Sequence, residues 1–485
     1  MAFDKVMWFQ KAISAIYIYW FRGNCGAPSG SSSFGGKETL KRVDFHLFIV
    51  AFLASGLGAY TLFGLPYQWL AFAIVLAALA VAVVTRTLTL PPPGLIPYLV
   101  LFAWAGAVTL YHLCSGDFSW TIWRFSLLRL AKLAGFILTL WCAYHIVQRY
   151  SFEVLAKWIV AIGVVHGVIA IYFYFAQLNG WPELPRNRLG TFGTSQAVVF
   201  TYPFHRAMGT FQEPGLFADW MLLPLFVSFQ QLRKVGRWWN LSSGIILGAV
   251  LLTGSLAAYI ALAVAACFLA FVWLVNRNRK VSFPVLCNLA VGAGILLACI
   301  QGYDDTHGYH VENTSQMSSF ELLQQAISDR LGGLSEEGVS GTNRGYVYDY
   351  AAGTEFSLTG QGLGISNFNL TRAIGSPMPA SFLNLYLAIL IGTGWIGLAI
   401  LAAAMAVPVV RFITSPGALI ENSGMLAMYG AYAVMFLAVS EEVTFTFATM
   451  TAIVAALPSY HATERSRRGR ETGDNNTEPS GSLPA

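Results

Sequence analysis

The chain has 485 residues, 56% hydrophobic and 11% charged, with a mean hydropathy of +0.57. That balance excludes a soluble domain with a hydrated surface. The net charge of +5 is modest and gives no reason to expect a nucleic-acid partner. The six cysteines, Cys25, Cys114, Cys142, Cys267, Cys287 and Cys299, show no paired spacing, so neither a zinc site nor a disulfide framework is indicated.

Residues 1–42 carry Lys5, Lys11 and Arg22 among aromatics, followed by the Gly/Ser stretch Gly23 to Gly36. They read as an interfacial segment with a flexible linker rather than as a signal peptide. A helix rises about 1.5 Å per residue and the hydrocarbon core is about 30 Å thick, so apolar runs of about 20 residues are the unit to count. Residues 43–460 contain about twelve. They are Val43 to Phe63, Tyr67 to Thr85, Leu95 to Leu113, Ser126 to Val147, Val154 to Phe175, Gly215 to Gln230, Leu241 to Thr253, Leu256 to Val275, Phe283 to Gly302, Phe382 to Val407, Gly424 to Ser440 and Val443 to Tyr460. The expected fold is an all-α integral membrane protein with about 12 transmembrane helices. Residues 461–485 are polar and charged and read as a disordered tail.

Cytoplasmic loops retain Lys and Arg, and this orients the chain. With the N-terminus inside, the cytoplasmic segments hold Lys37, Lys41, Arg42, Arg86, Arg149, Arg233, Lys234, Arg237, Arg277, Arg279, Lys280, Arg411 and the tail cluster from Arg465 to Arg470. Both termini are then cytoplasmic, which requires an even number of spans, and a break at Gly254 and Ser255 supplies it. Three outward regions carry appreciable chemistry: Cys114 to Phe125, Ala176 to Pro214 and the long loop 303–378. The other outward connections read as tight turns.

In the long loop, Phe320, Leu322, Leu323, Ala326, Ile327 and Leu331 recur at helical spacing and predict an amphipathic helix over 317–331. A second short helix is expected over 346–356, followed by a turn at Gly360, Gly362 and Gly364. No strand precedes those glycines and no P-loop lysine follows, so they do not read as a nucleotide loop. No internal repeat of the kind transporters use is evident.

Arg206, Gly209, Thr210, Phe211, Glu213 and Pro214 form a compact block at the start of the sixth span. It reads either as an interfacial anchor with a helix-starting proline or as a fixed cation beside a carboxylate, placed to meet an anionic headgroup. Arg129 and Lys132, three residues apart on one helical face, either snorkel outward or line a polar groove, with Arg124 above them. Arg186 and Arg188 belong to the second outward loop beside Trp181, where a plain solvated loop is the simpler reading. Asp304 and Asp305 adjoin, but no Glu or His completes a ligand set, so no metal site is expected.

The block from Arg206 to Pro214 resembles the Arg, Gly, Thr, Phe, then Asn or Glu, Pro block of the bacterial O-antigen ligase and Wzy polysaccharide polymerase superfamily. Thr253, Gly254 and Ser255 resemble its Thr, Ser, Arg, Gly block. Arg344, Tyr348, Ala351 and Gly360 to Phe368 resemble its Arg, aromatic, Ala, then Gly-x-Gly and Phe pattern in the large periplasmic loop. Asn384, Tyr386, Leu387, Gly394 and Gly397 resemble the segment that follows. Two departures stand out: Leu256 replaces an arginine, and Leu383 replaces the histidine before Asn384. The missing histidine and the presence of Glu213 favour the polymerase branch over the ligase branch.

The resemblance implies an enzyme of the bacterial inner membrane that takes a polyprenyl diphosphate-linked oligosaccharide as donor, without cofactor or metal. A chain-length regulator and export proteins are its implied partners. The leaving diphosphate must be met by fixed positive groups. Arg206 and Arg344 are the implied catalytic cations, with Glu213 as first choice of general base, then His205, Asp349 and Glu355. Arg129, Lys132, Arg186, Arg188, Tyr348 and Asn384 are the implied substrate-binding residues. The rival activities are an O-antigen ligase that transfers finished glycan and, in another class, a glycolipid flippase.

Overall fold

A computed structural model describes residues 42–92, 94–178, 181–188, 206–231, 237–275, 345–376, 379–415, 422–438 and 442–458. The span expected over 283–302, the amphipathic helix expected over 317–331, and Arg344 lie outside the described residues. What is described is a helical bundle with one two-stranded hairpin. The helices are α1 (Val43–Ser55), α2 (Tyr67–Val84), α3 (Leu95–Ser115), α4 (Trp120–Tyr150), α5 (Phe152–Leu178), α6 (Pro214–Gln231), α7 (Arg237–Leu252), α8 (Leu256–Val275), α9 (Gly345–Ala352), α10 (Ile365–Ile374), α11 (Leu385–Thr414), α12 (Ser423–Met435) and α13 (Phe445–Pro458). Strands β1 (Thr61–Leu62) and β2 (Leu65–Pro66) pair antiparallel between α1 and α2.

Among the described residues α2, α3, α4, α5 and α11 are long and apolar enough to cross a membrane. Shorter apolar helices include α1 and α13 and the stretches Leu241–Leu252 and Leu256–Phe271. Aromatic rings order the interior. Phe445 lies against Phe48, Phe52 and Phe72, with centroids 6.0, 6.2 and 6.4 Å away, and Phe447 against Phe136, Tyr429, Tyr432 and Phe436 at 5.9, 5.5, 5.8 and 4.8 Å. The start of α13 is therefore clamped by four other helices. Pro224 inside α6 packs onto Gly163 of α5, where a side chain would overlap the proline ring. The missing Cβ lets the two helices approach closely.

Several boundaries differ from expectation. The first span was expected to reach Phe63, but α1 stops at Ser55. Gly56 is pressed on His166 and Gly58 on Phe211, with room for no Cβ at either, and the chain leaves the helix to bond Ala59 N–H to the Thr210 carbonyl at 2.9 Å. The run 241–275 does divide: Gly254 stands at φ +54 between α7 and α8. The short helix expected over 346–356 is α9, ending at Ala352.

Polar groups concentrate at the two ends of α4. Near its C-terminus the buried Asp44 carboxylate accepts from His145 Nε2 at 3.0 Å, Tyr150 OH at 2.6 Å and Phe45 N–H at 2.9 Å. Thr89 N–H donates to His145 Nδ1 at 3.2 Å, so the proton of that ring sits on Nε2 and points at Asp44. Near the other end stand Arg129 and Lys132, about 24 Å away along the axis of Arg129 from His145.

Candidate functional site

The loop that opens α6 is tied down residue by residue. Ala207 N–H donates to the Leu252 carbonyl at 2.9 Å, and Arg206 Nε donates to the Thr253 carbonyl at 2.7 Å. The Arg206 stem lies over Gly254, so the first and second motif blocks are one contact. Thr210 Oγ1 gives its proton to the Gly56 carbonyl at 2.5 Å and accepts from His166 Nδ1 at 3.0 Å. These bonds fix the direction of the Arg206 guanidinium before any ligand arrives. Glu213 is exposed, one residue ahead of α6, and its carbonyl accepts from Phe217 N–H at 3.2 Å.

The second outward loop is pinned to the hairpin. Asn187 Nδ2 donates to the Thr61 carbonyl at 2.9 Å, and Arg188 Nη1 donates to the Gly58 carbonyl at 2.7 Å. Burial pulls the Arg188 guanidinium below its ordinary range, with the charge of Glu442 opposing. Arg186 is buried beside Tyr60 and Glu183; burial lowers its basicity too, and those two groups counter it. It is no solvated loop residue.

Arg129 and Lys132 do not snorkel. Arg129 Nη1 lies 2.7 Å from Glu442 Oε1 and Lys132 Nζ 2.6 Å from Glu442 Oε2, with side chains only 12%, 22% and 22% exposed for Arg129, Lys132 and Glu442. Arg129 also sits 5.1 Å over the Phe125 ring, which meets Phe368 of α10 edge-on at 5.4 Å. Burial works against the Glu442 charge, but Lys132 and Arg129, helped by Arg188, outweigh it and hold the carboxyl below the usual carboxylate range. The turn between the last two spans, expected to carry no chemistry, thus supplies the anion of the site.

The glycine turn has a packing role. Helix α11 is broken at Gly394 (φ 72, ψ −175), and the turn plugs the break. Gln361 N–H donates to the Ile391 carbonyl at 2.9 Å, Gly362 N–H to Gly392 at 2.8 Å, and Trp395 and Ile396 N–H return to Ser357 and Leu358 at 3.3 Å each. A Cβ on Gly360 would lie 2.5 Å from the Thr393 and Gly394 nitrogens. Beyond the turn, Gly364 is laid against Ser126 of α4. At the start of α11 Asn384 accepts from Leu387 N–H at 3.1 Å as N-cap and donates to the Leu437 carbonyl at 3.0 Å, fastening α11 to the segment that leads from α12 to Glu442.

These elements wall a half-open cavity, with Arg129, Lys132, Glu442, Gly364, Asn367 and Leu385 among its lining residues. Arg206, Glu213 and Tyr348 do not line it; Tyr348, on α9, is 37% exposed. Asp349 and Glu355 are exposed, and His205 lies outside the described residues.

Residues 241–402 match the family model for O-antigen ligase, Wzy_C. Over that stretch the chain is similar to the O-antigen ligase/Wzy superfamily. Curated proteins give no match to it. Enzymes of that superfamily are glycosyltransferase-like and act on lipid-linked sugars, and the apolar helices make this chain membrane-embedded. Gly254, the glycine turn, Asn384 and Gly394 fall inside the matched stretch, whereas Arg129, Lys132, Arg206 and Glu442 fall outside it. The cavity is therefore built where the O-antigen ligase domain meets α4 and the α12–α13 turn.

Glu442 was missed by sequence reasoning. Its signal was present: Glu441 and Glu442 are adjacent acids wedged between two apolar spans, and Arg129 and Lys132 need a counter-charge.

Proposed function

We propose that this chain polymerises polyprenyl diphosphate-linked oligosaccharide repeat units into a surface or secreted polysaccharide at the periplasmic face of the inner membrane, with both termini cytoplasmic. The observation that carries the reading is the gathering of Arg129 and Lys132, with Arg188 within electrostatic reach, beside a cavity walled by Gly364, Asn367 and Leu385. Two fixed cations in a partly dry site suit a diphosphate, because they meet the charge that develops as the bond to the sugar breaks. Arginine adds a planar fork that grips phosphate oxygens in pairs.

In this reading Arg129 and Lys132 hold the lipid diphosphate, and Arg206, aimed by the Thr253 carbonyl of the second motif block, approaches together with Arg344. An acceptor hydroxyl oxygen bonds to the anomeric carbon of the donor. The bond from that carbon to the diphosphate oxygen breaks, the diphosphate leaves on its lipid, and the hydroxyl proton passes to a base, for which Glu213 is the candidate. Tyr348 offers an exposed ring to a sugar. Leu383 where ligases carry histidine supports polymerisation over transfer of finished glycan to another acceptor.

The test is the lipid-linked glycan that accumulates when the gene is deleted. Single repeat units on the lipid are expected. Long unattached chains would replace the reading with a ligase, and units that cross a reconstituted bilayer without being joined would replace it with a flippase.

A further inference from the structure

Resting on the proposed diphosphate site, we infer that Glu442 is an internal counter-ion that occupies the Arg129–Lys132 pair in the free protein and gives way to the diphosphate of the lipid-linked donor. One carboxylate serves both cations: Lys132 Nζ lies 2.6 Å from Oε2 and 2.7 Å from Oε1, and Arg129 Nη1 shares that Oε1 at 2.7 Å. A phosphate would present its oxygens to the same two nitrogens in the same way.

Charge favours the exchange. Glu442 brings one negative charge to two cations, and Arg188 contributes a third positive group to its surroundings. A diphosphate diester carries two negative charges, so it neutralises the cluster better than the carboxylate does. Arg129, Lys132 and Glu442 all line the cavity, so a ligand entering its mouth meets them.

The carrier of Glu442 suits a movable anion. Glu442 belongs to the non-helical stretch 442–444. On one side Asn384 fastens the Leu437 carbonyl at 3.0 Å, and on the other Phe445 is locked into the aromatic core. No helical turn holds the Glu442 backbone, and its side chain lines the cavity. A ligand that must displace an internal competitor binds more weakly by the fraction of time the site is occupied.

Binding of farnesyl diphosphate to the full chain in detergent, measured by calorimetry, tests the inference. Glu442→Gln is expected to bind about tenfold tighter than wild type, Glu442→Asp by a smaller factor in the same direction, and Lys132→Gln about tenfold weaker. Equal or weaker binding by both Glu442 variants, with wild type binding, would reduce Glu442 to a structural ion-pair partner and leave the diphosphate site standing. Failure of wild type and all variants to bind would overturn the diphosphate site itself, and the counter-ion role with it. Where Glu442→Gln fails to fold, the Glu442→Asp comparison decides.

Discussion

Replacing Gly394 by alanine tests whether the glycine turn and the break in α11 form one joint. Gly394 stands at φ 72, ψ −175, a conformation that is essentially glycine's own. Forcing an L-residue into it costs about 1–3 kcal/mol. The added Cβ would overlap the Leu358 carbonyl and lie 2.6 Å from Thr359 N, both backbone atoms that cannot rotate away. Moving them stretches the Trp395 and Ile396 amide bonds to Ser357 and Leu358, at 3.3 Å each. At about 1 kcal/mol per lost bond, the total destabilisation is about 3–5 kcal/mol. Trp395 and Trp104, whose Nε1 donates to the Thr393 carbonyl at 2.9 Å, flank the joint, so tryptophan fluorescence during denaturant unfolding in detergent reports on it directly. Gly106→Ala is the control: it sits in α3 with nothing near the new methyl, and should be stabilising by about 0.5–1 kcal/mol. A Gly394→Ala protein that unfolds together with wild type would refute the joint.

Arg206→Lys is expected to lose most polysaccharide output in a complemented deletion strain, because lysine has no Nε to donate to the Thr253 carbonyl and no fork to present; output within twofold of wild type would remove Arg206 from the site. Asn384→Asp keeps the N-cap acceptor but loses the donor to Leu437, whereas Asn384→Ala loses both; unfolding midpoints should put alanine about 1 kcal/mol below wild type with aspartate between, and equal midpoints would show that the cap contributes nothing. Glu442 has its folded carboxyl held below the ordinary value, so its stabilisation is present above the ordinary glutamate range and disappears as pH falls through the depressed value. As pH falls below 4.5, the ordinary glutamate value, unfolding midpoints should therefore drop more steeply for wild type than for Glu442→Gln, and parallel curves would contradict the ion cluster.

Local signals transferred well from sequence to structure. The break at Gly254, the start of α6 at Pro214 and the helix after Arg344 each depend on residues within a few positions of one another. Relations across the chain did not transfer. The end of α1 at Ser55 is decided by His166 and Phe211, and the reason for the glycines lies in the broken helix α11, which Gly360 and Gly362 meet, and in Ser126 of α4, which Gly364 meets. Spacing marks such glycines as a turn and says nothing of what the turn fills.

The choice between snorkelling and a polar groove for Arg129 and Lys132 shows where a further step was open. Two cations on one helical face can reach a membrane surface if their stems are long enough, and nothing in their own spacing decides the matter. An acid deep among apolar spans constrains the problem from the other side, since glutamate has too short a stem to snorkel far and needs a partner at its own depth. Glu442 follows α12 and precedes an apolar helix whose first rings are locked among Phe48, Phe52 and Phe72, so it must be neutralised where that core begins. Arg129 and Lys132 stand at that level on α4, and the cations are drawn inward because the carboxylate cannot come out to them.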